Sequence, residues 1–121
     1  MKNRILIVDD EPIICSSLKF LLPTLVDADV DTAHTVEEAT RLWEEHSYTL
    51  LIVDHMLGDS LDGIQLIEKF RQSIPTIPAV VHSGFLSPEL QKKVKTMQNT
   101  HLVEKPIDID RFKQVIESLL N

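Results

Sequence analysis

Short unbroken apolar runs alternate with stretches whose apolar residues recur every three or four positions, five times along the chain. Arg4 to Val8 reads Arg-Ile-Leu-Ile-Val and Leu50 to Val53 reads Leu-Leu-Ile-Val, which predicts strands buried on both faces, the kind found in parallel sheets. Ile77 to His82 and His101 to Glu104 are weaker runs of the same type. Asp29 to His34 alternates polar with apolar residues and predicts a half-exposed edge strand.

Between these runs the spacing is helical. Pro12 suits a first-turn position before Ile14, Leu18, Leu21, Leu22 and Leu25. Thr35 with Glu38 predicts a capping box ahead of Ala39, Leu42 and Trp43, and Ser87-Pro88 opens a helix carrying Leu90, Val94 and Met97. Ile64, Ile67 and Phe70 mark another helix. From Asp108 onward, Phe112, Val115, Ile116, Leu119 and Leu120 form the stripe of a last one.

Regular βα alternation predicts an α/β, doubly wound five-stranded parallel sheet with helices on both faces, because parallel neighbours need long right-handed crossovers that pack back onto the sheet. A ligand site then belongs outside the carboxyl ends of the strands, where the strand order reverses. The polar residues fall where this rule wants them. The first strand ends in Asp9-Asp10, the third in Asp54, the fourth in Ser83 and the fifth in Lys105-Pro106. Any one of these residues could cap a helix, close a turn or simply face water. Carboxylates crowded at one edge repel unless a cation neutralises them. Oxygen-only donors suit a hard ion such as Mg²⁺ or Mn²⁺, and a facing lysine offers a point charge to phosphate oxygens.

Composition narrows the function classes. The 121 residues suit one domain, assigned to 1–121, and 43% apolar with 26% charged residues is ordinary for a globular chain. A net charge of −7 argues against direct nucleic-acid binding and suits a cation site. No apolar run approaches the ~20 residues that span a bilayer, and the amino-terminal residues lack a signal-peptide core. The lone Cys15 permits no internal disulfide, which points to a reducing, cytoplasmic setting and a buried structural thiol.

Over nearly its full length the sequence resembles the receiver domain of bacterial two-component response regulators. Ile5 to Pro12 (Ile-Leu-Ile-Val-Asp-Asp-Glu-Pro) is similar to the family's acidic metal-binding segment, and Leu50 to Asp54 to its phosphoacceptor strand. His82-Ser83-Gly84 matches its hydroxyl-bearing segment and Lys105-Pro106 its lysine-proline pair. The resemblance implies a (βα)5 flavodoxin-like fold with strand order 2-1-3-4-5. It implies Asp54 as phosphoacceptor, with Mg²⁺ held by Asp10, Asp54 and the backbone carbonyl of Met56, and by Asp9 through water. Ser83 and Lys105 would bind the phosphoryl group, Gly84, Phe85 and Leu102 would take part in switching, and Pro106 would follow a cis bond. The implied partners are a sensor histidine kinase or phosphotransfer protein and a downstream output domain or target. A homodimer through the fourth helix, fifth strand and fifth helix is a further expectation. Such a domain catalyses only its own phosphorylation and dephosphorylation.

The loop after Asp54 departs from the family: Gly58 stands where proline is commoner, and Asp62-Gly63 comes one residue late. Asp59 and Asp62 are therefore read as loop and capping residues. Leu102 replaces a frequent aromatic residue. The five histidines are too scattered for a metal set and are read as surface or strand-end residues, with His55 and His82 flanking the site, and Trp43 is read as core. A phosphorylation-independent pseudo-receiver is the main alternative. A phosphatase of another α/β family would want an acid where Met56 stands, and a flavin module would not place Asp9-Asp10-Glu11 beside a phosphate.

Overall fold

The computed structural model describes residues 2–120. Its elements run β1 (Asn3–Val8), α1 (Pro12–Leu25), β2 (Ala28–Ala33), α2 (Val36–Glu45), β3 (Leu50–Asp54), α3 (Gly63–Phe70), β4 (Ala79–Ser83), α4 (Pro88–Lys95), β5 (Thr100–Glu104) and α5 (Ile109–Leu120). All strand pairs are parallel, in the order β2-β1-β3-β4-β5. This is the flavodoxin-like topology the resemblance implies, with its switch point between β1 and β3.

The unbroken apolar runs are explained by the two faces they fill. Ile5, Ile7, Leu50, Ile52 and Val80 pack on one side with Leu18 and Leu22 of α1 and with Phe112 and Ile116 of α5. Leu6, Val8, Leu51, Val53 and Val81 pack on the other with Ala39, Ile67, Phe70, Leu90 and Val94 of α2, α3 and α4. Side chains alternate along a strand, so both sets must be apolar. Trp43 stacks on Phe70 with ring centroids 4.4 Å apart and donates from Nε1 to Ser73 Oγ at 3.2 Å, which confirms it as a packing residue.

Helix starts follow local chemistry. Ser87 Oγ accepts from the Leu90 amide at 3.1 Å, and Asp108 Oδ1 accepts from Arg111 N at 3.2 Å. The box expected at Thr35 is only half formed: Thr35 accepts from Glu38 N, but Glu38 Oε2 reaches past Thr35 to the His34 amide at 3.3 Å. The reciprocal box lies instead at α3, where Asp62 accepts from Gln65 N and Gln65 Oε1 accepts from Asp62 N. The fourth strand begins at Ala79 rather than Ile77, because Pro78 has no amide to donate to a ladder.

Candidate functional site

Three backbone hydrogen bonds align the carboxyl ends of the strands. Asp9 N donates to Ala33 O at 3.0 Å, His55 N to His82 O at 3.1 Å, and Lys105 N to Ser83 O at 2.8 Å. The edge so formed borders a cavity of about 600 Å³ lined by Asp10, Glu11, Asp54, Met56, Ser83, Phe85 and Lys105, among others.

Asp54 is 6% exposed, and carboxylate oxygens of Asp9, Asp10, Glu11 and Asp54 all lie within 4.8 Å of one another. Burial, then the charge of Asp9 and more weakly that of Asp10, push the Asp54 pKa up to about 6, against the opposing pull of Lys105. The site therefore carries negative charge that its own lysine does not neutralise. Lys105 Nζ lies 3.0 Å from Asp9 Oδ2, 3.3 Å from Glu11 Oε1 and 3.5 Å from Asp54 Oδ2. Burial opposes its charge, but the Asp9 hydrogen bond and the surrounding carboxylates outweigh that and hold its pKa above the ordinary lysine value.

Asp9 is already engaged on both oxygens, since Oδ1 accepts from Glu11 N at 2.9 Å and Oδ2 from Lys105. Asp10 is exposed, so its carboxylate is the more accessible of the pair. The Met56 amide donates to Asp54 Oδ1 at 3.4 Å, and the Met56 side chain is 68% exposed at the cavity rim. A set of hard oxygen donors with excess negative charge fits a divalent ion such as Mg²⁺.

Ser83 is buried, and its Oγ donates to Phe85 O at 2.9 Å while accepting from Phe85 N at 3.2 Å. The hydroxyl's one donor and one of its two lone pairs are thus taken by the loop that follows it. Phe85 is exposed, and a side chain added at Gly84 would meet nothing within 4 Å, so this conformation does not itself require glycine there. Leu102 is half-buried against the α2–α4 core. The Lys105-Pro106 bond is cis.

The loop after β3 explains its departures. Gly58 has φ +62, a conformation closed to the proline common elsewhere, and Asp59 accepts from Val36 N at 3.0 Å, tying the loop to the start of α2. Asp62 caps α3 as expected.

Two residues that shape the site escape a reading of strand ends. Glu11 joins the carboxylate cluster and holds Lys105, and Asp9-Asp10-Glu11 offered that signal directly. At Gly63 a Cβ would collide with the Asp54 carbonyl, so only glycine lets α3 start beside the strand end.

The histidine reading needs a correction. His82 is a strand-end residue but not a surface one: it is 1% exposed, follows Val80 by two residues and so packs on the α1/α5 side of the sheet. Burial, with help from the charge of Lys105, lowers its pKa to about 4. His101 is exposed, and His34, His46 and His55 are half-buried.

Fold and site together define an acidic-edged α/β protein of the doubly wound parallel class. The family model for the response regulator receiver domain matches residues 5–117, and the chain belongs to that family. The nitrogen assimilation regulatory protein NtrX of Azorhizobium caulinodans is 29% identical over 99% of this chain and 26% of its own length. The response regulator Rre1 of Synechocystis is 31% identical over 96% of the chain and 51% of its own length. The chain spans about half the length, or less, of the curated relatives it matches first, as with 46% for the methanol utilization control protein MoxX of Paracoccus denitrificans. The crystal structure of the NtrX receiver domain of Brucella abortus superposes with a TM-score of 0.86 at 28% identity, covering 96% of this chain and 97% of that one. The chemotaxis protein CheY4 of Vibrio cholerae, at 20% identity and TM-score 0.88 over 99% of this chain and 100% of its own, shares the fold. Among the described residues no helix is long and apolar enough to cross a membrane.

Proposed function

We propose that residues 1–121 act as one cytoplasmic receiver unit in which Asp54 accepts a phosphoryl group from a phosphohistidine of a sensor kinase or phosphotransfer protein. The observation that carries this reading is Asp54 itself: a buried carboxylate at the switch-point edge, with Lys105 Nζ 3.5 Å away and further carboxylates around it. Asp10, Asp54 and the Met56 carbonyl would hold Mg²⁺ or Mn²⁺ directly. Asp9, whose oxygens are already engaged, would act through water. When bound, the ion neutralises charge on the carboxylates and on the transferred group.

The chain's own groups do the rest. An Asp54 carboxylate oxygen attacks phosphorus in line while the bond to the histidine nitrogen breaks, leaving an aspartyl phosphate and a neutral imidazole on the donor. Lys105 turns from Asp9 and Glu11 to the phosphoryl oxygens. Ser83 exchanges its two Phe85 bonds for a bond to the phosphoryl group, which draws the loop of Gly84 and Phe85 inward. With leucine at 102, most of the signal passes through this loop to α4. The α4–β5–α5 face then meets an output domain, a target protein or a second copy. The unit catalyses only its own phosphorylation and dephosphorylation. The full acceptor set disfavours a pseudo-receiver.

A small-molecule phosphodonor should add one phosphoryl group, read by intact mass, only with Mg²⁺ or Mn²⁺ present. Modification of Asp54→Asn, or indifference to chelator, would refute the assignment. Beryllofluoride with Mg²⁺ should shift amides across residues 84 to 97, and large remote changes confined to α1 would rule out this route.

A further inference from the structure

A second cavity, of about 270 Å³, lies on the opposite side of β4 from the core under α2–α4. Ile14, Leu18 and Leu21 of α1 line it together with Pro106 and Ile107, which follow β5, and His82 of β4. The lining is almost wholly apolar. Its polar residues are Ser17, Lys105 and His82, and the Nδ1 and Nε2 of His82 are both buried without a hydrogen-bond partner. Native structures rarely leave a buried imidazole with no partner on either nitrogen, and such a group calls for an explanation.

We propose that this cavity binds a small, uncharged, largely apolar molecule of one or two rings with a single hydrogen-bonding group, which His82 recognises. Size sets the first limit. A cavity of roughly 150 Å³ can hold benzene, and drug-sized sites begin at about 300 Å³, so the volume here suits a fused bicycle. Chemistry sets the second. A neutral imidazole has one N–H to donate and one lone pair to accept with, so an occupant carrying an N–H or O–H finds its match. His82 lies on β4 and lines the cavity, and the terminal torsion of histidine is broad, so a turn of the ring brings either nitrogen toward an occupant.

A charged ligand is disfavoured. The only cationic wall residue is Lys105, and its ammonium points to Asp9 and Glu11, leaving its stem to the cavity. The inference is independent of the phosphorylation reading, because it needs only the fold and the orphaned imidazole.

The test is a methyl and amide NMR titration with two probes of nearly equal shape: indole, which has an N–H, and benzothiophene, which has none. Indole should give saturable shifts at Ile14, Leu21 and Ile107 and bind about fivefold more tightly than benzothiophene, the ratio a neutral hydrogen bond supports. His82→Leu should abolish that preference. Ser17→Trp, placed at the exposed edge of the cavity on α1, should block both probes without touching the core. Absence of saturable shifts in the unmodified protein, equal affinity for both probes, or unaltered binding in Ser17→Trp would each overturn the proposal. The two probes compared on unmodified protein keep the test decisive even if His82→Leu folds poorly.

Discussion

Replacing Asp54 by asparagine should stabilise the metal-free protein at neutral pH. Asp54 is raised from 3.8 to about 6, first by burial and then by Asp9, so its charged form is less welcome in the folded state than in the unfolded chain. The sign follows from proton linkage: between these two values the folded state binds more protons, and stability falls as pH rises. The cost is absent below about pH 3.8 and complete above about pH 6. At about 1.4 kcal/mol per pH unit the full effect is about 3 kcal/mol. Asp54 borders an open cavity, and water there reduces the figure to roughly 2 kcal/mol. For a chain of this length that is a rise in Tm of roughly 8 °C. Asparagine keeps the shape and removes the charge. Thermal unfolding in chelator at pH 7.5 should show the gain, and the same pair at pH 4 should unfold at nearly the same temperature. Added Mg²⁺ should narrow the gap by stabilising the unmodified protein. An asparagine variant no more stable than the parent at pH 7.5, or equally favoured at pH 4, would refute the account of crowded charge at this edge.

His82 gives the opposite slope: its pKa falls to about 4 on burial, so its contribution is whole above pH 6.5 and is lost as pH drops toward 4, a difference of up to about 3 kcal/mol. His82→Leu should flatten that part of the stability profile in urea unfolding, and a profile as steep as the parent's would place the acid sensitivity elsewhere. Met56 and Phe85 are 68% and 74% exposed and line the cavity beside Asp54, where apolar side chains border the path of water to the carboxylate. Met56→Asn with Phe85→Glu should shorten the aspartyl-phosphate half-life several-fold by positioning water, as followed by loss of the added mass over time. An unchanged or longer half-life would exclude that role.

The fold was legible because its physical cause is written locally. Runs such as Leu50 to Val53 can be apolar at every position only if both faces of the strand are covered, and that requirement leads to a parallel sheet with helices on both sides. The acidic edge was legible for a related reason: Asp9 and Asp54 each stand where an apolar run stops, and Ser83 and Lys105 each one residue further on. Residues that act by reach were not. Glu38 takes the His34 amide one position beyond the box partner its spacing suggests, and Glu11 meets a lysine 94 positions away. Gly63 matters because of the Asp54 carbonyl, a backbone atom that no side-chain pattern reveals.

His82 was legible as a strand-end residue, but its burial was not. It stands beside Ser83 near the end of β4, but strand parity places it with Val80, on the opposite face from Ser83 and packed under α1 and α5. The distinction is physical. Consecutive residues at a strand end point to opposite sides, so Ser83 and His82, adjacent in sequence, belong to different cavities. By the same parity Asp9 and Asp54 follow Ile7 and Ile52 onto the imidazole's side of the sheet, the acids at the strand ends and His82 one residue short of the end of β4 among apolar neighbours. Lys105 borders both, with its ammonium among the acids and its stem beside the imidazole's cavity. Any occupant of the second cavity therefore rests against the side chain whose charge serves the first.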